Sequence, residues 1–281
     1  MSVTEEQYRQ IVLDPRPTRE KSHLDPADTV RLDKFKFINS EFPLETLRIY
    51  NSPFEKIRLG RDKDGGYVIV DISQGGRWAS YDALISCGIN DDDSFEHDFV
   101  GFYDVPVFAF DGTVEGLPNK HDKIKFIKKN ISDENSETED NLKGLIAKYK
   151  DIFLKMDIEG DEYLWINNLT DDELSKFKQI AIEFHEPYEK YKWRCLERLC
   201  KTHWAFHFNP NNCGAVCFHG DTKVPESFEM TYVRKDAIEK TPSTNTTPFP
   251  TKLDKPNDPN RPIISYNERP YCEPDFRNCI L

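Results

Sequence analysis

A chain of 281 residues, 37% hydrophobic and 12% aromatic, is long enough to bury a substantial core as one large domain, with room for an added subdomain. Its formal net charge of −12 argues against a general nucleic-acid binder, which leaves a basic footprint; the basic run from Lys120 to Lys129 reads as a solvated loop and strand edge. No apolar run reaches the roughly 18–20 residues needed to span a membrane.

Residues 1–52 form a polar arm carrying Pro15, Pro17, Pro26 and Pro43, with a helix expected from about Pro26 to Ser40. Regular alternation begins near residue 53. Tyr67-Val-Ile-Val70 is a short strand or hairpin edge, and Ala83-Leu-Ile-Ser-Cys87 a buried strand ending at Gly88. Ser94 is the expected N-cap of a following helix. Pro106-Val-Phe-Ala-Phe110 is the next strand, tipped by Asp111-Gly112. Then come Ile124-Lys-Phe-Ile127, a helix around residues 141–150 and the strand Ile152-Phe-Leu-Lys-Met156. A capped helical start at Asp171-Asp-Glu-Leu174 precedes the strand Gln179-Ile-Ala-Ile-Glu-Phe-His185. A helix over residues 188–201 leads to two closing strands, 204–208 and 228–234. Strands alternating with helices indicate βαβ units in a mostly parallel sheet. The last two strands leave no space for a helix, so the final one is expected to be antiparallel, at the sheet edge. The α/β core thus spans 53–238, and 239–281 reads as an irregular surface tail.

The N-terminus lacks the basic n-region and apolar h-region of a signal peptide, so the chain as written is expected to be cytoplasmic. Sequons at Asn130, Asn168 and Asn245 leave a secretory relative open. Seven cysteines cannot all pair internally. Cys213 and Cys217 lack a second CxxC nearby, which disfavours zinc; reduced cysteines are the expectation, with Cys272–Cys279 the one pair placed to close in an oxidising compartment. No heptad or hydrophobic stripe indicates an oligomer.

Chemistry concentrates at strand tips. In an open α/β sheet ligands bind outside the carboxyl ends of the strands. Lys155, Asp157 and Glu159 alternate onto one face, as do Glu183 and His185; the alternative is that such acids cap the next helix. If those strands are neighbours, four ionisable groups meet in one cleft, where buried like charges need a compensating cation. Asp157, Glu183 and His185 could hold Mg2+ or Mn2+, or hydrogen-bond only one another and a loop. Gly88 permits close backbone approach to a nucleotide, although neither G-x-G-x-x-G nor a P-loop is present. Asp111 stands where a Rossmann-type acid accepts ribose hydroxyls; a turn Asp before Gly is the alternative. Asp64-Gly65-Gly66-Tyr67 suits a ligand-wrapping loop or a plain hairpin turn. His207, Asn211 and Asn212 could grip a polyhydroxylated substrate or satisfy their own loop.

These residues, in this order, resemble the FkbM-like branch of S-adenosylmethionine (SAM)-dependent methyltransferases, nearest to the branch with the animal methyltransferase-like proteins. The likeness covers roughly residues 53–262. It is carried by Arg58-Leu-Gly-Arg, Asp64-Gly-Gly-Tyr67, Ser86-Cys-Gly88, Phe110-Asp111, Leu154-Lys-Met-Asp157-Ile-Glu159-Gly-Asp-Glu162, Ile182-Glu-Phe-His185, Asn211-Asn212, Glu229-Met-Thr-Tyr-Val-Arg-Lys235 and Leu253-Asp-Lys-Pro-Asn-Asp-Pro259. The resemblance implies a Rossmann-like seven-stranded sheet with SAM over the first two strands, Gly88 and Asn90 at the methionine end, Asp111 on the ribose and Asp157 beside the methyl. It implies O-methylation of a sugar, glycan or small-molecule acceptor. The first motif departs from the glycine-rich family pattern.

A hydroxyl nucleophile needs a base or a metal to take its proton; His185 or His207 is the candidate base, with Asp157 and Glu183 orienting it, and Glu159, Asn211 and Asn212 the candidate acceptor contacts. A SAM-binding module without turnover and a metal-dependent hydrolase built on the Asp/Glu/His cluster are the competing readings.

Overall fold

The computed structural model describes residues 41–273 apart from Gln74; the helix expected from Pro26 and the partner cysteine Cys279 lie outside these. In chain order the elements are β1 (Lys56–Leu59), β2 (Tyr67–Val70), β3 (Ala83–Cys87), α1 (Ser94–Tyr103), β4 (Val107–Phe110), β5 (Ile124–Ile127), β6 (Asn130–Ile131), β7 (Glu139–Asp140), α2 (Lys143–Lys148) and β8 (Ile152–Met156). They continue with α3 (Glu162–Asn168), α4 (Asp171–Leu174), β9 (Phe177–His185), α5 (Lys190–Thr202), β10 (His203–Pro210), β11 (Val216–His219), β12 (Thr222–Pro225) and β13 (Ser227–Arg234).

Seven strands form one sheet in the order β10-β13-β9-β8-β3-β4-β5. From β9 to β5 all neighbours are parallel, and β13 is antiparallel to both strands beside it. This is the Rossmann-like seven-stranded sheet. The final strand is antiparallel as expected, yet it lies one place inside the edge: β13 inserts between β9 and β10, and all eight of its residues are buried. Two ladders then satisfy its backbone, while β10 takes the edge. The hairpin β11–β12 fills the connection between the closing strands, a feature the sequence reading did not anticipate.

The central strands β3 and β8 are buried at every residue, as apolar runs covered on both faces should be. One face packs Leu154, Ile182 and Phe208 against Trp165 of α3 and Leu196 of α5. The other packs Leu84 and Phe153 against Phe95 and Phe99 of α1 and the β1–β2 hairpin. From β3 the chain winds outward through β4 and β5, then returns to start β8 on the other side of β3. The switch point therefore falls between β3 and β8, where the crevice for a ligand opens.

Local signals were mostly placed within a residue or two. Asp93, not Ser94, is the N-cap of α1; Ser94 Oγ instead donates to Asp92 and accepts from the Arg61 amide, tying the hairpin to the helix. Thr170 and Glu173 form a reciprocal capping box at α4. Residues 239–273 are irregular, as expected, but not superficial: Phe249, Tyr266 and Tyr271 are fully buried and ring Phe208 at centroid distances of 5.9, 5.3 and 4.4 Å. This segment covers the edge strand β10.

Candidate functional site

A cavity of about 390 Å³ lies across the carboxyl ends of β3, β4 and β8. Gly88 is its pivot. Its φ is +85°, and a Cβ there would stand 1.8 Å from the Asp157 carbonyl oxygen, so the β3 and β8 tips meet at a junction only glycine allows. The Gly88 amide donates to Phe110 O at 3.0 Å. Lys155, 4% exposed, reaches over the Tyr67 ring to donate to the Gly88 carbonyl.

Asp111 lines this cavity as expected, but its acceptor positions are taken. One oxygen accepts from the Ile89 and Asn90 amides at 2.9 and 2.8 Å. The other accepts from the Thr113 amide and hydroxyl at 2.7 and 2.6 Å. A carboxylate offers about four lone-pair sites; here two brace the turn after Gly88 and two the turn at Thr113. Burial opposes ionisation, yet these bonds prevail and hold the carboxyl below its usual range. Asp64, Gly65 and Asn90 also line the cavity; Gly66 and Tyr67 stand behind it, with Tyr67 donating to Asp157 at 3.3 Å. Arg61 spans from this hairpin loop to Asp91 and Asp92 at 3.4 and 3.2 Å.

The expected convergence of acids and imidazole is present. His185 Nδ1 lies 3.2 Å from Glu162, and Nε2 lies 3.8, 3.7 and 3.8 Å from Asp157, Glu159 and Glu183. Glu162, which sequence reading treated only as part of a motif, is fully buried and accepts from the Ile158 and Gly160 amides as well. It holds both the turn after β8 and the imidazole. Its signal was position: an acid at the first residue of α3, aimed back at the loop. Glu159 caps that turn with φ +58°, in a region where non-glycine residues are strained, and its side chain is largely exposed.

Burial, reinforced by the Glu183 charge, drives the Asp157 carboxyl up to about 8. Burial also raises Glu183. For His185, burial opposes the charged form, but the Glu162 bond and the surrounding carboxylates prevail and raise it to about 9. The imidazolium is thus the cation that the acids require. Atoms of Asp157, Glu159 and His185 lie within 4.8 Å of one another, a spacing that would admit a divalent ion in place of that proton. Glu183, expected in this set, is instead engaged by Asn211 Nδ2 at 2.7 Å and by Ser227 Oγ.

Two expected contacts are used elsewhere. His207 is 2% exposed; its Nε2 bonds Asp254 at 2.6 Å and its Nδ1 faces Lys56 Nζ at 3.3 Å. Both ring nitrogens are committed away from the cavity, because β10 lies two strands beyond β9. Asn212 donates to the Asp258 and Arg261 carbonyls and pins the tail. Of the sequons, Asn245 is buried with its amide nitrogen on Thr247 and Tyr271, and Asn130 lines the cavity. No two of the described cysteines are joined by a disulfide, and no helix among the described residues is long and apolar enough to cross a membrane.

No family model and no curated protein matches this sequence. Among solved structures, one similar chain is titled a "putative RNA methyltransferase" from Pyrococcus horikoshii, at 9% identity over 73% of this chain and 96% of that one, with a TM-score of 0.33.

Proposed function

We propose that this chain is a SAM-dependent methyltransferase of the FkbM-like kind, acting on a hydroxyl of a sugar, glycan or small molecule. The observation that carries the reading is the Gly88–Asp157 junction at the sheet's switch point, with the cavity on one side and the His185 cluster on the other. The donor set suits SAM: Asp64 and Asp157 line the cavity and would face its cationic groups, while Asp111 fixes the turn after Gly88 against which it would lie. When bound, SAM would supply an electrophilic methyl, and transfer then depends mainly on alignment.

In this reading His185 takes the acceptor's proton in its neutral form, whose share grows as pH rises towards about 9; Glu162 orients the ring, and Asp157 with Glu183 stabilises the imidazolium that results. Asp111 acts by fixing the Ile89–Asn90 turn. The test is calorimetry with S-adenosylhomocysteine, with and without Mg2+ or Mn2+, followed by labelled-methyl transfer to a panel of sugars and glycosides. Micromolar binding that Asp111→Ala abolishes, and turnover that His185→Ala abolishes, are expected. Binding without turnover in any condition favours the non-catalytic module; tight Mn2+ binding without S-adenosylhomocysteine binding favours the hydrolase.

A further inference from the structure

The register of the sheet aligns polar side chains that no single strand reveals. Asn209 on β10 pairs with Glu229 on β13, and Glu229 with Glu183 on β9. Asp157 follows Met156, which pairs with Ile182, so it extends the same row. Residues directly opposed across strands point to one side of the sheet. A strip Asn209–Glu229–Glu183–Asp157 therefore runs from the donor cavity to the edge strand, and three of its four members are carboxyls.

Glu183 and Glu229 are 2% and 5% exposed. Like charges side by side and out of water are unfavourable, and a stretch of apolar pairs would be more stable. Burial, with the Glu183 charge, pushes the Glu229 carboxyl well above its usual range, and Arg58 opposes the rise. Arg58 comes from β1, across the hairpin, with its side chain 9% exposed. Its Nε and Nη2 donate to the Arg61 and Lys63 carbonyls, while its Nη1 is buried and finds no partner among the described residues. An orphaned guanidinium nitrogen close enough to Glu229 to oppose its rise leaves hydrogen-bonding capacity unfilled at the strip.

The outer end of the strip is closed by the tail. Asp254, with its side chain 1% exposed, is clasped by His207, and Asp258 is held by Asn212. Between these anchors Lys255-Pro256-Asn257 arches to the hairpin loop. Lys255 Nζ stands 3.5 Å from Asp62, and Asn257 Nδ2 donates to Asp64 at 2.9 Å. The Asp254 side chain and the His207 and Asn212 that hold the anchors are buried, whereas the two stitches are exposed. Exposed polar contacts of this kind contribute about 0–1 kcal/mol each, so the arch can lift while its anchors hold.

We propose that residues 255–257 are a lid over an acceptor subsite, which extends from Asp157 along Glu183 and Glu229 to Asn209 and takes the donor groups of a neutral or cationic ligand. The ligand's role as methyl acceptor rests on the methyltransferase reading; the lid and the strip beneath it do not. The probe is a water-soluble cationic carbodiimide with glycinamide, applied to the full chain, with modified carboxyls quantified by mass spectrometry. Removing both stitches in Lys255→Ala/Asn257→Ala should accelerate labelling of Glu183 and Glu229 about fivefold, the factor that a loss near 1 kcal/mol produces. Glu96 and Glu162, both fully buried, report general unfolding and should not accelerate. Unchanged labelling of the strip, or equal acceleration at Glu96, overturns the proposal. Calorimetry with S-adenosylhomocysteine on the same samples separates the two ideas. Binding with unmoved labels removes the lid alone, and accelerated labels without binding removes the methyltransferase reading alone.

Discussion

At Gly88 two requirements coincide: a left-handed backbone and a carbonyl where a Cβ would be. Gly88→Ala should therefore cost at least about 2–3 kcal/mol and abolish S-adenosylhomocysteine binding, measurable by urea unfolding and calorimetry. A variant of near wild-type stability would show that the junction is less tight than described. Asp157→Asn should behave oppositely. It removes a carboxylate held beside Glu183 in a poorly solvated position, so at pH 8 it is expected to gain on the order of 1 kcal/mol, or roughly 2–4 °C in melting temperature, while losing turnover. Destabilisation at that pH would mean that the charge is well compensated. Asp157, Glu183 and His185 were legible as a cluster because side-chain alternation and strand order suffice to bring them together. The commitment of Asp111 to its own loop was not, because the partners are backbone amides, which every residue carries and no motif distinguishes. Glu162 lay within the most specific motif, but its role depends on how α3 leaves the turn.

Among elements, the strands of the parallel half were legible from continuous apolar runs bounded by Gly, Asp or Pro. The insertion of β13 was not, since an antiparallel strand serves equally as an edge or as the next strand inward. The tail was misread for a compositional reason: Phe249, Tyr266 and Tyr271 are isolated apolar residues in a Pro-, Thr- and Asn-rich stretch, without helical or strand period. Their burial follows from the exposed edge that β10 would otherwise present. Tyr271→Ala should cost about 3–5 kcal/mol, the range for deleting a buried aromatic, and should loosen the segment up to Asn245, whose side-chain amide donates to the Tyr271 carbonyl. Hydrogen exchange across residues 245–273 tests this. Protection that remains as in the parent chain would show that the tail is held mainly by the His207–Asp254 clasp and the Asn212 contacts.

For the whole molecule, the acidic strip sets the sign of the pH dependence of stability. His185 binds its proton more tightly in the folded chain, raised from 6.5 to about 9. Its contribution is fully present below the unfolded value and is lost as pH rises through the folded one. Asp157 is raised from 3.8 to about 8, so the folded state also retains a proton there that the unfolded chain releases. Both groups make the native state the better proton binder between about pH 4 and 9, and wherever that holds stability falls as pH rises. The net charge of −12 adds self-repulsion in the same direction. Melting temperature should consequently decline from pH 6 to pH 9, most steeply between about 6.5 and 8, where both groups hold a proton that the unfolded chain has released. Asp157→Asn/His185→Gln should flatten that decline. Salt should flatten the broad repulsive part while leaving most of the step between about 6.5 and 8, because the Debye length at 0.15 M is about 8 Å and buried pairs are screened less than surface charges. A decline that 0.5 M salt removes entirely would assign the effect to surface charge and leave the cluster no part in it. A step that survives salt and disappears in the double variant places the proton in the His185 cluster.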